Sequence, residues 1–354
     1  MFDYILLDCI TNIKGERTIS GIYHLLDGKR SSQSLQDAHA YQLTNYFGIL
    51  KGFSREDLHR ALNRLEDNGW IERYEEVAVV TPMGNVQVQK MRNTYEPIHF
   101  RGLTLSSTIP LFTKRLFLYI QTVTNMHLGK NDFLPVEDDL ETTEWVRNLY
   151  RTRKGNLQHH VRALYHELAD LLRSMPEAEA EVFTYRLTGS GFIGLTTGQL
   201  AVRFGMDAVD VHLLLHHVCY RIYFTVKEGR DRYPSLALFT IDEQPHILVT
   251  NSAKRTYELL QEGFEPEQIG QIRRLKMSTV QDHLVEIALV VPSFEISDYV
   301  TNEAIEQIAA TADTLDTNRL KDINAALQQR YDYFQIRMVL AHQQNQAKVG
   351  ESYE

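Results

Sequence analysis

Between Ser252 and Leu289 apolar residues recur at helical spacing in three bursts separated by two stops. Tyr257, Leu259 and Leu260 give the first burst an apolar side, Gly263 suits its C-terminal stop, and Pro266 fits the first turn of the second. Ile269, Ile272 and Leu275 form the second stripe. After Lys276-Met277 the Ser278 hydroxyl is placed to cap a third helix packed through Val280, Leu284 and Ile287. Gly270 is small where the last two helices must approach, and β-branched Val280 fills the angle between them. The pattern predicts a helix-turn-helix whose third helix points Thr279, Gln281, Asp282 and Glu286 outward.

The same reading runs through the rest of the chain. Ile22, Tyr23, Leu25 and Leu26 mark a helix, Leu35 to Tyr46 a second ending near Gly48, and Ser54 caps a third with the stripe Leu58, Leu62 and Leu65. Asn68-Gly69 stops that helix, Val77 to Val80 is extended, and Thr81-Pro82-Met83-Gly84 turns the chain before Val86 and Val88. Helices closed by a hairpin predict a winged-helix-like domain over residues 1–95, with a boundary at Thr94-Tyr95-Glu96-Pro97. A mostly helical region, 96–245, follows, with Leu111 to Met126 and then Leu157, Val161, Leu164, Leu168 and Leu171 at helical spacing. Its end is expected at the Asp242 to Pro245 loop. Within it, residues 195–217 repeat the helix-turn-helix grammar: Ala201 at the close approach, Gly205 at the turn, Val211 in the angle. Asp207 and Asp210 on its third helix leave DNA contact and protein packing both open. The last domain spans 246–341 and is expected to fold alone, and the polar stretch 342–354 is expected to fray as a flexible tail. The fold class is mainly α.

Two stretches resemble known families. Ile269 to Leu275, Ser278-Thr279-Val280, His283-Leu284, Phe294-Glu295-Ile296, Leu320, Ile323 and Tyr331 to Ala341 resemble the helix-turn-helix domain at the C-terminus of many RecQ-type helicases. Arg17, Tyr23 to Leu26, Gly28 to Gln33, Gln36-Asp37 and Tyr46-Phe47-Gly48 resemble the start of the YpbB proteins of low-GC Gram-positive bacteria. Together they imply a helicase-associated accessory protein of DNA repair, with a RecQ-type helicase and DNA as partners. No helicase motor precedes the C-terminal domain here.

Charge changes that picture. The chain of 354 residues carries a formal net charge of −9, and residues 251–354 hold ten Lys or Arg against sixteen Asp or Glu, a net of −6. Phosphate binding must then rest on local clusters and be weak and salt-sensitive. The candidate clusters are Arg273, Arg274 and Lys276 around the turn, with Ser278, Thr279 and Gln281 opening the third helix; Lys29 and Arg30; and Arg151, Arg153 and Lys154, near Arg147, Arg162, Trp145, Tyr150, His159 and His160. That last group suits single-stranded nucleic acid, held through phosphates and stacking. Its bland alternative is a solvated helix face balancing the acidic loop Glu137 to Glu144.

Other chemistry is thin. Gly189-Ser190-Gly191-Phe192-Ile193-Gly194 matches G-x-G-x-x-G, but only a short extended run, Val182 to Leu187, precedes it, so a flexible loop is the better reading. Gly28-Lys29-Arg30-Ser31 lacks the first glycine of a phosphate loop. His166-Glu167-x-x-Asp170 lacks the second imidazole of a zinc site, and His212 with His216 reads as satisfied helix-interior histidines. Cys9 and Cys219 read as buried thiols. No signal peptide or membrane-length apolar run is present, which predicts a cytoplasmic chain with no membrane contact. The composition and motifs predict a non-enzymatic adaptor without cofactor or metal. The rivals are a helix-turn-helix transcription regulator and an enzyme with an unrecognised site.

Overall fold

The computed structural model describes residues 1–95, 97–241 and 250–351, with side chains as far as 346. In chain order it forms helices α1 (Phe2–Ile13), α2 (Ile19–Asp27), α3 (Ser32–Ala40) and α4 (Arg55–Asp67), then a hairpin of β1 (Ile71–Tyr74) and β2 (Val77–Val80). Helices α5 (Pro82–Tyr95), α6 (Gly102–Leu105), α7 (Thr108–His127), α8 (Leu140–Arg153), α9 (Leu157–Arg173), α10 (Glu177–Arg186), α11 (Thr197–Phe204) and α12 (Ala208–Glu228) follow. The C-terminal set is α13 (Asn251–Gln261), α14 (Pro266–Arg273), α15 (Met277–Val290), α16 (Asn302–Leu315), α17 (Leu320–Ala326) and α18 (Tyr333–Glu351). The fold is mainly helical, as the periodicity predicts.

Helix α4 begins and ends where the sequence places it, whereas the run expected as helix from Leu35 to Tyr46 is helical only to Ala40, with a separate 3-10 turn at Thr44–Tyr46. Ser54 and Asp57 bond reciprocally as a capping box at the start of α4, and Gly69, at φ +68, stops the chain beyond it. The hairpin departs from expectation. Its strands pair antiparallel from Ile71↔Val80 to Tyr74↔Val77, around a turn in which Glu75 takes φ +54. Residues 82–95 are helix, not turn and strand, because Pro82 at a first helical position sacrifices no hydrogen bond. Val88 is buried there while Val86 is exposed. The run Val182 to Leu187 is likewise mostly the last turns of α10, with Leu187 alone extended.

The chain forms two units, each assembled from separated segments. The first comprises residues 1–7, 48–70 and 82 onward to 241; the second comprises 8–47, 71–81 and 250–351. Residues 1–95, expected as one winged-helix-like domain, are therefore divided, α4 in the first unit and the hairpin in the second. Glu96, within the expected boundary, and the Asp242 to Pro245 loop lie outside the described residues.

The first unit is built on aromatic pairs along α7 and α12. Phe112 meets Tyr223 edge to face at 5.3 Å, Phe117 meets Phe183 at 5.5 Å, and Tyr119 meets Phe239 at 5.3 Å. Helices α11 and α12 form the second helix-turn-helix-like corner, with Gly205 at φ +61 and Val211 fully buried against Val182 and Leu200. The start of α12 is committed to packing: Asp207 pairs with Arg64 at 3.1 Å, and Asp210 accepts the Phe2 amide at 2.7 Å. Cys9 and Cys219 are buried free thiols, and burial pushes the pKa of both up, Cys219 to about 12.

In the second unit α15 is the central helix, packed by α18, α13, α14 and α3. The C-terminal segment packs on α3, which comes from residues 8–47. The polar stretch from Gln343 is not a tail. It continues α18 to Glu351, and buried Asn345 donates to the Ala288 carbonyl at 3.0 Å. Residues 352–354 lie outside the described residues.

Candidate nucleic-acid interface

The helix-turn-helix closes by backbone geometry at each of its two turns. Gly263 takes φ +89 after α13, and the Phe264 amide bonds the Leu259 carbonyl at 3.1 Å. Pro266 opens α14, which ends on Arg274 in the left-handed region, φ +54, while the Leu275 amide bonds the Gly270 carbonyl at 2.9 Å. Lys276 is the N-cap of α15 and makes no side-chain cap bond. Ser278, expected as that cap, sits inside the first helical turn. Val280, Leu284 and Ile287 are fully buried, and a β-carbon on Gly270 would stand 3.8 Å from Val280, the contact the spacing predicts. Ile272, expected in the buried stripe, is 53% exposed.

The cations of the turn divide into two kinds. Arg273 is a brace: it donates to the Ser252 carbonyl at 2.7 Å, to Ser252 Oγ at 3.1 Å and to Thr256 Oγ1, tying α14 to α13. Thr256 is buried and bonded to His283 Nδ1 at 2.8 Å. Arg274 and Lys276 are exposed, with no carboxylate against them among the described residues. Lys29 and Arg30 are exposed on the loop before α3, in the same unit, and the charge of Arg30 acts on Glu286. Arg151, Arg153 and Lys154 belong to the first unit, on α8 and the turn that follows it.

The third helix is not the open recognition surface that the spacing predicts. Glu286 is 2% exposed and accepts from the amide and hydroxyl of Thr250, the N-cap of α13; burial raises its pKa above the usual carboxylate range. Asp282 is held by Arg337 at 2.6 Å, while Ser32 Oγ on α3 donates to the Asp282 carbonyl at 3.3 Å. Arg337 also reaches Gln36 Oε1 and Ser32 Oγ, each at 3.2 Å. Helix α3 packs on α15 beside Asp282, whose side chain stays partly exposed, and Glu286 is buried against the N-cap of α13. Lys276, Met277 and Ser278 are exposed, Thr279 and Gln281 half-buried, and His283 to Leu289 buried. Arg337 has no local signal in the sequence, since its partners lie 55 and some 300 residues away.

The other motifs take structural parts. Glu167 accepts from the Ser235 and Leu236 amides, so it holds a loop where a zinc hydrolase would place a base. His216 stacks on Tyr220 at 5.1 Å, and burial pushes its pKa down to about 3. Among the described residues its Nε2 has no hydrogen-bond partner, contrary to the satisfied histidine expected. Among the described residues no group of three His, Cys, Asp or Glu could hold a metal, and no helix is long and apolar enough to cross a membrane.

The glycine motif is a tight turn and not a loose loop. Gly189 and Phe192 pair across it, Gly191 takes φ +81, and a β-carbon on Gly194 would fall 2.2 Å from the Arg186 carbonyl oxygen. Backbone cannot yield as a side chain does. Gly194→Ala is expected to cost the first unit about 1–3 kcal/mol, read as a lower urea midpoint of the full chain; an unchanged midpoint would show that the turn relaxes freely.

A family described as a helix-turn-helix domain matches residues 252–340. The chain is 33% identical over 348 residues to protein YpbB of Bacillus subtilis (strain 168), covering 98% of each chain. No solved structure matches it.

Proposed function

Because the chain belongs to the YpbB family, we propose that it is a non-enzymatic accessory protein that binds DNA weakly through its C-terminal helix-turn-helix domain. The contact goes to phosphate and not to base edges. The observation that carries this reading is the covering of α15. Base readout needs several side chains along a helix lying in the major groove, whereas α15 offers only its first turn, with exposed Arg274 and Lys276 beside it. A sequence-specific regulator is the weaker alternative for the same reason.

The test uses substitutions that suit the backbone they replace. Glycine fits the left-handed position of Arg274, and serine is a better N-cap than Lys276, so Arg274→Gly with Lys276→Ser removes two charges without harming the turn. Binding of a labelled duplex is expected to be on the order of micromolar or weaker, and the double variant to flatten its log-log salt dependence by about 2. A footprint confined to one defined operator would replace this reading with the regulator.

The same turn supports a RecQ-type helicase as the second partner. Ile272 at 53% and Met277 at 36% exposure set apolar surface beside the two cations in sequence, a mixture suited to a protein interface. If the double variant binds duplex as the parent does but loses a RecQ-type helicase in co-purification, the turn is a protein interface and the phosphate reading falls.

A further inference from the structure

Helix α8 passes through a 3-10 turn, Lys154–Asn156, directly into α9. Arg147 and Arg151 stand one turn apart on α8, Arg153 and Lys154 occupy the corner, and Arg162 follows on α9; all five are exposed. Tyr165, three residues beyond Arg162 and so its neighbour on the helix surface, is 63% exposed. Its ring sits 5.5 Å from that of exposed His166.

A solvated helix face carries its counterions with it, and here they are engaged elsewhere. Glu137 and Asp139 hold Lys114 at 3.6 and 3.2 Å, and Glu141 holds Arg115 at 3.2 Å. The two acids of α9 turn to the loop after α12: Glu167 accepts from its amides, and Asp170 pairs with Arg232 at 2.8 Å and accepts from Tyr233. Glu144 and Asp138 are left, and among the described residues none of the five cations has a carboxylate within 4.0 Å. The acidic loop therefore does not neutralise the basic corner.

Unpaired cations alone would suit any polyanion. The exposed tyrosine beside Arg162 narrows the choice, because a flat ring gains from an unstacked base and gains nothing from a duplex whose bases are already paired and stacked. We propose that the α8–α9 corner of the first unit is a binding site for single-stranded nucleic acid, Arg147, Arg151, Arg153, Lys154 and Arg162 holding phosphates and Tyr165 stacking on a base. The site is separate from the phosphate contact of the helix-turn-helix and stands without it.

The experiment measures binding of the full chain to fluorescein-labelled oligo(dT) of about twenty nucleotides, long enough for a site of this kind, over a range of salt. Tyr165→Ala is expected to weaken binding about five- to a hundredfold while leaving the salt slope unchanged, and Tyr165→Phe to bind as the parent does. The triple change Arg151→Ala, Arg153→Ala and Lys154→Ala is expected to reduce the slope by about 2, at roughly 0.7 per phosphate on a single strand. Because these side chains are exposed, circular dichroism of each variant should match the parent. The chain carrying Arg274→Gly and Lys276→Ser must keep the Tyr165-dependent binding. Oligo(dT) binding that is absent from the parent, indifferent to Tyr165→Ala, of unchanged slope in the triple variant, or lost in the Arg274 and Lys276 variant overturns the site.

Discussion

Arg337→Ala is expected to destabilise the second unit by about 2–4 kcal/mol, the sum of one guanidinium bond to a carboxylate and two to neutral acceptors, discounted for partial exposure. The guanidinium is 19% exposed and Asp282 44% exposed, so the pair is screened but not free in water. Arg337→Lys should recover less than half, since an ammonium cannot span Asp282, Gln36 and Ser32 in one fork. The readout separates the units: Trp70 and Trp145, the chain's two tryptophans, both belong to the first unit. Urea should then shift a far-ultraviolet dichroism phase to lower midpoint while tryptophan fluorescence keeps its own. Coincident, unshifted curves would show that α3 is held by its apolar contacts alone.

Glu286 is the second place where one side chain decides the stability of the domain. Removing its carboxylate as Glu286→Leu leaves the Thr250 amide and hydroxyl without their acceptor, at about 2–4 kcal/mol. Glu286→Gln keeps an acceptor for the amide and removes the buried charge. Burial raises the carboxyl's pKa and nearby Asp282 raises it further, while its bonds from Thr250 and the charge of Arg30 lower it; the net direction is up. A raised folded pKa means that the folded state holds the proton more tightly than the unfolded chain, whose value is about 4.3. The resulting stabilisation is complete below that value and is lost as pH rises through the folded pKa. The parent should therefore lose stability relative to Glu286→Gln as pH rises from about 4 toward neutrality. A difference between the two that stays constant with pH would mean that folding does not shift the pKa of this carboxyl.

The reach of the sequence followed the reach of the interactions. Gly263, Pro266, Ser54 and Gly205 act on residues three to five positions away, and each stop or cap they predict is present. Val280 beneath Gly270 was legible for the same reason. The pattern failed where two templates fit the same few residues: Val86 and Val88 alternate like a strand, but Pro82 starts a helix through them. It failed more deeply where partners are remote. Helical spacing put Asp282 and Glu286 on the outward side of α15, and nothing nearby announces that α3 packs beside Asp282 or that Thr250 needs Glu286. The basic corner at Arg151 was visible as composition, but its lack of counterions became visible only when Lys114, Arg115 and Arg232 were seen to occupy the acids.

The second unit joins segments 8–47 and 71–81 to 250–351, and this order of assembly sets a clock on its synthesis. Ser32 must wait for Asp282, 250 residues later, and at roughly 5–20 residues per second the ribosome needs about ten to fifty seconds to supply it. Throughout that interval Leu35 and Ala38 on α3, both buried in the finished protein, have no α15 or α18 to rest on. The nascent chain thus carries an adhesive N-terminal end for most of its translation, a natural client for holding chaperones, and slow-elongating expression hosts should return more of it as aggregate than fast ones.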